Sequence, residues 1–333
     1  MNDGTEKKNR WAVVVLFLLA PALAEMLTGS APPVEFLNPA AFAIMTVLYG
    51  SGAILIRELR VRWKKGYWPT VFILGAAYGI IEEGLTCKSF FNPEWQDLGI
   101  LGTYGRWAGV NWVWSLDLTV FHTVFSIVIP IFIVELLFPE QREARWLGRL
   151  GMTAFWLLLV AITVFGFLAF PYYPSFLHVL PTIGVVAALF LLARSLPAPQ
   201  PTQKQGWLLW PICFTMVGFG VTVFFFVAHW VLPELGLPVW LTMAVTVLWL
   251  IAAVGVTRTL SRGGSWNDKH KLALITGALL FWTLLAPLQE MDPKRLDDTT
   301  GLTVVAFFVL LLLVWLRGKV RRRIRRETLV ALE

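Results

Sequence analysis

Two adjacent glutamates in an otherwise apolar stretch, Glu82 and Glu83 of "YGIIEEGLTCK", are the residues of this chain best suited to chemistry. Farther along, "WSLDLTVFHTVF" sets Asp117 and His122 in a second apolar stretch. Ionisable side chains are expensive in lipid, so they turn toward the protein interior, water or a partner. A carboxylate can take a proton and an imidazole can pass one on, which makes Glu82, Glu83 and His122 the candidate catalytic set. Adjacent residues on an α-helix point about 100° apart, so the two glutamates are expected to face different partners. One would form the site while the other orients Lys88, Arg106 or backbone groups. Asp117 and His122 stand five residues apart and do not share one stripe, yet both can line a broad cavity.

The elements that must position these groups are membrane-spanning helices. Of the 333 residues, 57% are hydrophobic and only 15% charged, too few to cover a soluble surface of this size. A spanning helix needs about 20 mostly apolar residues. Such stretches recur at 11–29, 40–57, 68–86, 113–137, 150–171, 176–195, 208–231, 239–257, 272–289 and 302–316. The expected fold is therefore an all-α polytopic membrane bundle of about ten transmembrane helices, one membrane-embedded domain over 1–333. Under this assignment 24 of the 28 Lys and Arg fall on one side, with only Lys88, Arg106, Lys294 and Arg295 opposite. Lys and Arg are retained in the cytoplasm, so both termini are expected there and the protein in the cytoplasmic membrane. The opening "KKNRWAVVVLFLLAPALAEM" also fits a signal peptide ending at Ala22-x-Ala24, whose removal would leave nine spans.

On this topology the ionisable groups gather in the outer half. Glu25 ends the first span, His178 begins the sixth, His229 ends the seventh and Glu290 ends the ninth. Near span ends such groups also serve as interfacial or structural hydrogen-bonders. The outer segment 87–112 combines aromatics with Gly and Asn and is expected to pack over spans three and four as an interfacial loop or lid. On the opposite side, Arg57, Glu58 and Glu135 leave the membrane together, suited to headgroup-level pairing or an inner gate. "YGSG" at 49–52 supplies small residues for a close helix contact.

The GIIEEG stretch resembles the first catalytic motif of the CAAX-processing and bacteriocin-processing family of glutamate-type membrane peptidases. The likeness covers residues 75–125, with Leu118-x-x-x-His122 in the place of that family's Phe-x-x-x-His. Lys88 replaces the Arg that follows the paired glutamates, one position late, and the third motif has no match: Thr182 follows His178 and Pro233 follows His229 at the relevant spacing. The resemblance implies that Glu82 or Glu83 activates water against a peptide carbonyl while His122 stabilises the developing oxyanion.

Three functions fit these residues: a membrane-embedded hydrolase acting on a peptide or lipid-linked substrate, a proton- or ion-coupled secondary transporter, and a non-catalytic scaffold. No cofactor is expected. A divalent metal such as Zn, held by His122, His178 and a carboxylate, suits the residue types but has no support from spacing. Cys87 and Cys213 have neither disulfide nor metal-ligand spacing. The basic loops and the tail 317–333 are expected to meet anionic lipid headgroups rather than nucleic acid.

Overall fold

The computed structural model describes residues 3–96, 98–198, 210–260 and 267–330, and within them the side chains from Arg10 onward except that of Tyr67. Lys204 and Arg262, assigned above to the basic side, lie outside the described residues. Among the described residues, each of the ten apolar stretches is largely helical. Eight form helices long and apolar enough to cross a membrane by length and composition: Pro39–Trp63, Trp112–Leu137, Arg149–Ala169, Phe176–Ser195, Pro211–Val231, Val239–Leu260, Asp268–Glu290 and Leu302–Val330. The other two carry more charge. Asp3–Pro21 opens among charged residues, and Tyr67–Ile80 continues into a turn that holds the paired glutamates. The protein is an all-α polytopic membrane protein; its sole strands among the described residues are a two-residue hairpin, Arg106–Trp107 with Val110–Asn111.

Four helical runs contain π-helical turns, Ala22–Met26, Ile81–Thr86 and Val227–Val231 at one end of their runs and His122–Val128 in the middle of its run. Each turn carries an ionisable residue already singled out, respectively Glu25, Glu82 with Glu83, His122, and His229. A π-turn accommodates one extra residue per hydrogen-bonded ring, which re-aims side chains and frees backbone groups. Composition gives no sign of it.

Backbone contacts divide the chain into two compact units. The first comprises Met1–Ala24, Leu37–Gln200 and Leu232–Met243. Its core is built by Leu16, Ile54, Leu55, Leu74, Ile127 and Ile131, all essentially buried. Gly50 lies against Phe17 and Gly52 against Tyr78 so closely that a methyl group at either would overlap, as the YGSG stretch implied. Gly75 and Gly79, one turn apart, press the 67–80 helix onto Thr119, His122 and Thr123. Small residues at this crossing bring the two site-bearing segments together.

One end of this unit is fastened by charge. Arg57 donates to Glu58 Oε1 at 2.7 Å and to the carbonyls of Gln141, Arg142 and Ala144 at 2.6–2.8 Å. Its guanidinium also stacks 3.7 Å from the Trp146 ring centroid. Glu58 Oε1 accepts from Trp146 N at 2.8 Å, and Glu135 lies 3.8 Å from Arg57. Arg60 holds Glu143 through both guanidinium arms. The cluster thus ties the segment after Leu137 back onto the 39–63 helix, a structural anchor.

At the other end, the described residues of 87–112 pack as a cap over spans three and four. Phe90, Phe91, Leu98 and Leu101 are buried with Val113 and Trp114, against Ile80 and Leu118. Asn111 fixes the junction: its Oδ1 accepts from Trp114 N at 3.0 Å and its Nδ2 donates to the Leu101 carbonyl.

The second unit comprises Glu25–Phe36, Pro201–Val231 and Ala244–Glu333. Gly218 and Gly277 sit reciprocally on each other's helices, leaving no room for a Cβ, so the 211–226 and 268–290 helices cross with their backbones touching. The basic tail is not a separate segment. It continues the last helix, which runs unbroken from Leu302 to Val330.

Candidate functional site

Within the first unit, Glu82, Glu83 and His122 meet. The imidazole of His122 lies between the carboxylates: Nε2 is 3.0 Å from Glu83 Oε1, and Nδ1 is 3.2 Å from Glu82 Oε2. Nδ1 also faces Ser126 Oγ at 2.9 Å. All three side chains are buried, with exposures of 1% for Glu82, 7% for Glu83 and 2% for His122. The expectation that consecutive glutamates face different partners is corrected. They reach the same ring, one on each nitrogen, because an imidazole presents two polar edges to side chains that diverge from their helix.

Glu83 is the more tightly held. Its second oxygen accepts a hydrogen bond from Ser89 Oγ, and Ser89 Oγ in turn accepts from Trp114 Nε1 at 3.0 Å. The chain Trp114–Ser89–Glu83–His122 therefore runs from the cap segment into the site. Tyr49 and Phe121 enclose the imidazole, with ring centroids 5.9 and 5.2 Å away. Sequence reading missed Ser89, Trp114 and Ser126. Ser126 was accessible, standing one turn after His122; Ser89 and Trp114 required the cap's fold. The four-residue spacing of Gly75 and Gly79 also signalled the close crossing.

Both ring nitrogens of His122 face protein oxygens. In order, these are a carboxylate held by Ser89, an imidazole, and a second carboxylate.

Lys88, Arg106 and His178 are engaged elsewhere. Lys88 does not pair with either glutamate. It is fully buried, adopts a left-handed backbone (φ 62°), and donates to the Phe167 and Phe170 carbonyls at the end of the 149–169 helix. Its ammonium also lies 4.8 and 4.7 Å from the Phe167 and Tyr173 rings, and burial pushes its pKa below the ordinary lysine value. Arg106 holds the cap through the carbonyls of Phe91, Asn92 and Gly102, with burial lowering its pKa too. Asp117 is buried on the 112–121 helix.

His178 is engaged at the hairpin. Its Nε2 lies 2.9 Å from the Ala108 carbonyl and its Nδ1 2.9 Å from Ser175 Oγ, pinning the hairpin where Gly109 (φ +77°) leaves room for the ring. His178 belongs to no metal-spaced group of ligands among the described residues.

In the second unit, His229 is buried with Nδ1 2.9 Å from the Phe225 carbonyl. Glu290 accepts from Gly301 N and Thr303 N at 2.9 and 2.7 Å, capping the last helix. Glu25 sits in the first π-turn, where its carbonyl accepts from Gly29 N and Ala31 N.

No curated protein and no solved structure gives a significant match to this chain. A family described as an uncharacterized membrane protein family matches residues 14–332, nearly the whole length. The chain belongs to that uncharacterized membrane protein family.

Proposed function

We propose that the protein is a hydrolase embedded in the cytoplasmic membrane, acting on a peptide or lipid-linked substrate through Glu82, His122 and Glu83. The observation that carries this reading is the single imidazole set between two buried carboxylates, 3.2 and 3.0 Å from its nitrogens. Glu82 is the base. It takes a proton from water as the water oxygen adds to the substrate's carbonyl carbon. The same proton then returns to the leaving nitrogen or oxygen as that bond breaks, and Glu82 is again a carboxylate. His122 and Glu83 are positioning residues that set the geometry and basicity of Glu82. The 24-to-4 distribution of Lys and Arg supports both termini in the cytoplasm, which puts the site in the outer half of the membrane.

One observation favours a second reading, a proton-coupled transporter. An imidazole with a separate carboxylate on each nitrogen can accept a proton on one side and release it on the other. Membrane carriers use such relays.

A single preparation separates the two. Purified protein in vesicles is given a mixture of membrane-extracted peptides and lipid-linked compounds, with and without an imposed pH gradient, and the products are read by mass spectrometry. The hydrolase yields products gained by one water, independent of the gradient and absent with Glu82→Gln. Solute accumulation that a protonophore abolishes, without any hydrolysed product, replaces it with the transporter. Neither signal from correctly folded protein ends both readings.

A further inference from the structure

The second unit holds a cavity of about 690 Å³ remote in sequence from Glu82, Glu83 and His122. Three helices form it: the start of Pro211–Phe226, the start of Asp268–Glu290, and the stretch of Leu302–Val330 where apolar sequence gives way to basic. Its walls divide by chemistry. Trp210, Ile212, Leu272 and Ala273 line it with apolar surface, and Trp210 and Ile212 are 81% and 63% exposed. Lys269, Arg317 and Arg321 line it with positive charge.

No carboxylate lines this cavity among the described residues. The nearest acid in sequence, Asp268, pairs with Arg323 and Lys271, neither of which lines the cavity. Arg317 and Arg321 stand four residues apart, so they project from one face of their helix. The amino end of the 23-residue helix at Asp268 adds the positive end of its dipole to the same lining. Three cations without an acidic counterpart among the described residues, lining one cavity with exposed apolar side chains, form a surface complementary to an amphiphilic anion.

We infer that this cavity binds the phosphate headgroup of an anionic glycerophospholipid, with the start of its acyl chains against Trp210, Ile212 and Leu272. A small inorganic anion would use the cations and leave the apolar wall idle. A zwitterionic lipid would use the wall and offset the charge. Basic pockets between spans recognise anionic headgroups by this combination.

The test is native mass spectrometry of the full-length protein in detergent, titrated with phosphatidylglycerol or phosphatidylcholine of the same acyl chains. Arg317→Gln/Arg321→Gln is compared with Arg325→Gln/Arg326→Gln, which removes the same charge from the same helix beyond the cavity. All four arginines are exposed or at the helix surface, and unchanged thermal unfolding in detergent confirms that each variant is folded. The expected result is preferential retention of phosphatidylglycerol and a loss of about thirtyfold in the cavity variant, with less than about a threefold loss in the control. Equal losses in both variants would mean only a diffuse basic surface. Displacement of the lipid by inorganic phosphate would mean a free-anion site, and equal retention of phosphatidylcholine an apolar groove. Any of these three outcomes overturns the proposal.

Discussion

His122 Nε2 lies 3.0 Å from Glu83 Oε1, joining positions 39 residues apart. The contact depends on two local features. Gly75 and Gly79 let the 67–80 helix press against the backbone around Thr119 and Thr123, and π-turns begin at Ile81 and at His122. Ser89 then holds the far oxygen of Glu83, which on the proposed hydrolase reading fixes the carboxylate in advance of a substrate. Preorganisation of this kind lowers the reorganisation required during proton transfer.

The cap depends on Asn111. Replacing it with alanine removes the helix cap of Trp114 N and the donor to the Leu101 carbonyl at a fully buried position. Loss of a cap and of a buried partner together is expected to cost about 2–4 kcal/mol. Limited proteolysis in detergent should then cut within 93–105 at conditions where the parent protein resists. Equal resistance would show that the cap is held by its apolar contacts alone.

Lys88 gives the cap a pH dependence. Burial lowers its pKa, so the folded protein binds this proton less tightly than the unfolded chain does. Stability from this group therefore rises with pH up to the ordinary lysine value of 10.5, and a neutral amine still has two N–H groups for its two carbonyls. Thermal unfolding measured from neutral pH toward 10.5 should rise in the parent relative to Lys88→Met. Parallel curves would mean that the burial cost is already offset in the charged form.

At the opposite end, Arg57→Ala removes the cation that Glu58 and Glu135 share, leaving Glu58 to Arg62 at 3.4 Å and Glu135 to Arg142 at 3.7 Å. Breaking a buried ion pair by removing one partner costs about 3–5 kcal/mol. Arg57→Lys should recover only part of this, since one ammonium cannot serve Glu58 and three carbonyls while stacking on Trp146. Detergent thermal unfolding should rank parent, Lys and Ala in that order. An Ala variant as stable as the parent would show that the anchor is dispensable.

Orientation is open to direct labelling. In a background with Cys87 and Cys213 replaced, a membrane-impermeant thiol reagent added to intact cells should modify Trp107→Cys, whose site is 73% exposed, and miss Lys64→Cys and Arg326→Cys. Labelling at Lys64→Cys or Arg326→Cys would invert the topology on which the outer placement of the site rests.

The sequence carried the spans plainly, because crossing lipid imposes length and apolarity that survive any tertiary arrangement. Glu82, Glu83 and His122 stood out for the same reason: each is costly where it stands. Their mutual geometry was only partly legible. Ideal α-helical angles separate neighbours such as Glu82 and Glu83, and neither the second edge of the imidazole nor the π-turns enter that construction. Lys88, Arg106, His178 and Glu290 show the converse. Their residue types suit a reactive site, but the structure uses them on carbonyls, a hydroxyl and helix-start N–H groups, where backbone polarity needs partners. Only the fold of 87–112 reveals Ser89 and Trp114, since their role depends on a loop closing over two helices.

The most direct measurement of the central claim is a double-mutant cycle on hydrolysis of the substrate found by the vesicle screen, using Glu83→Gln, His122→Asn and the pair. Residues that act as one unit lose most of their effect with the first substitution. The relay predicts that each single variant lowers kcat by about a hundredfold or more, and that the double variant is no more than about threefold slower than the worse single. Ser89→Ala belongs to the same series, with a smaller kcat loss and KM unchanged. Full activity in either single variant, or losses that multiply in the pair, would contradict a site built on Glu82, His122 and Glu83.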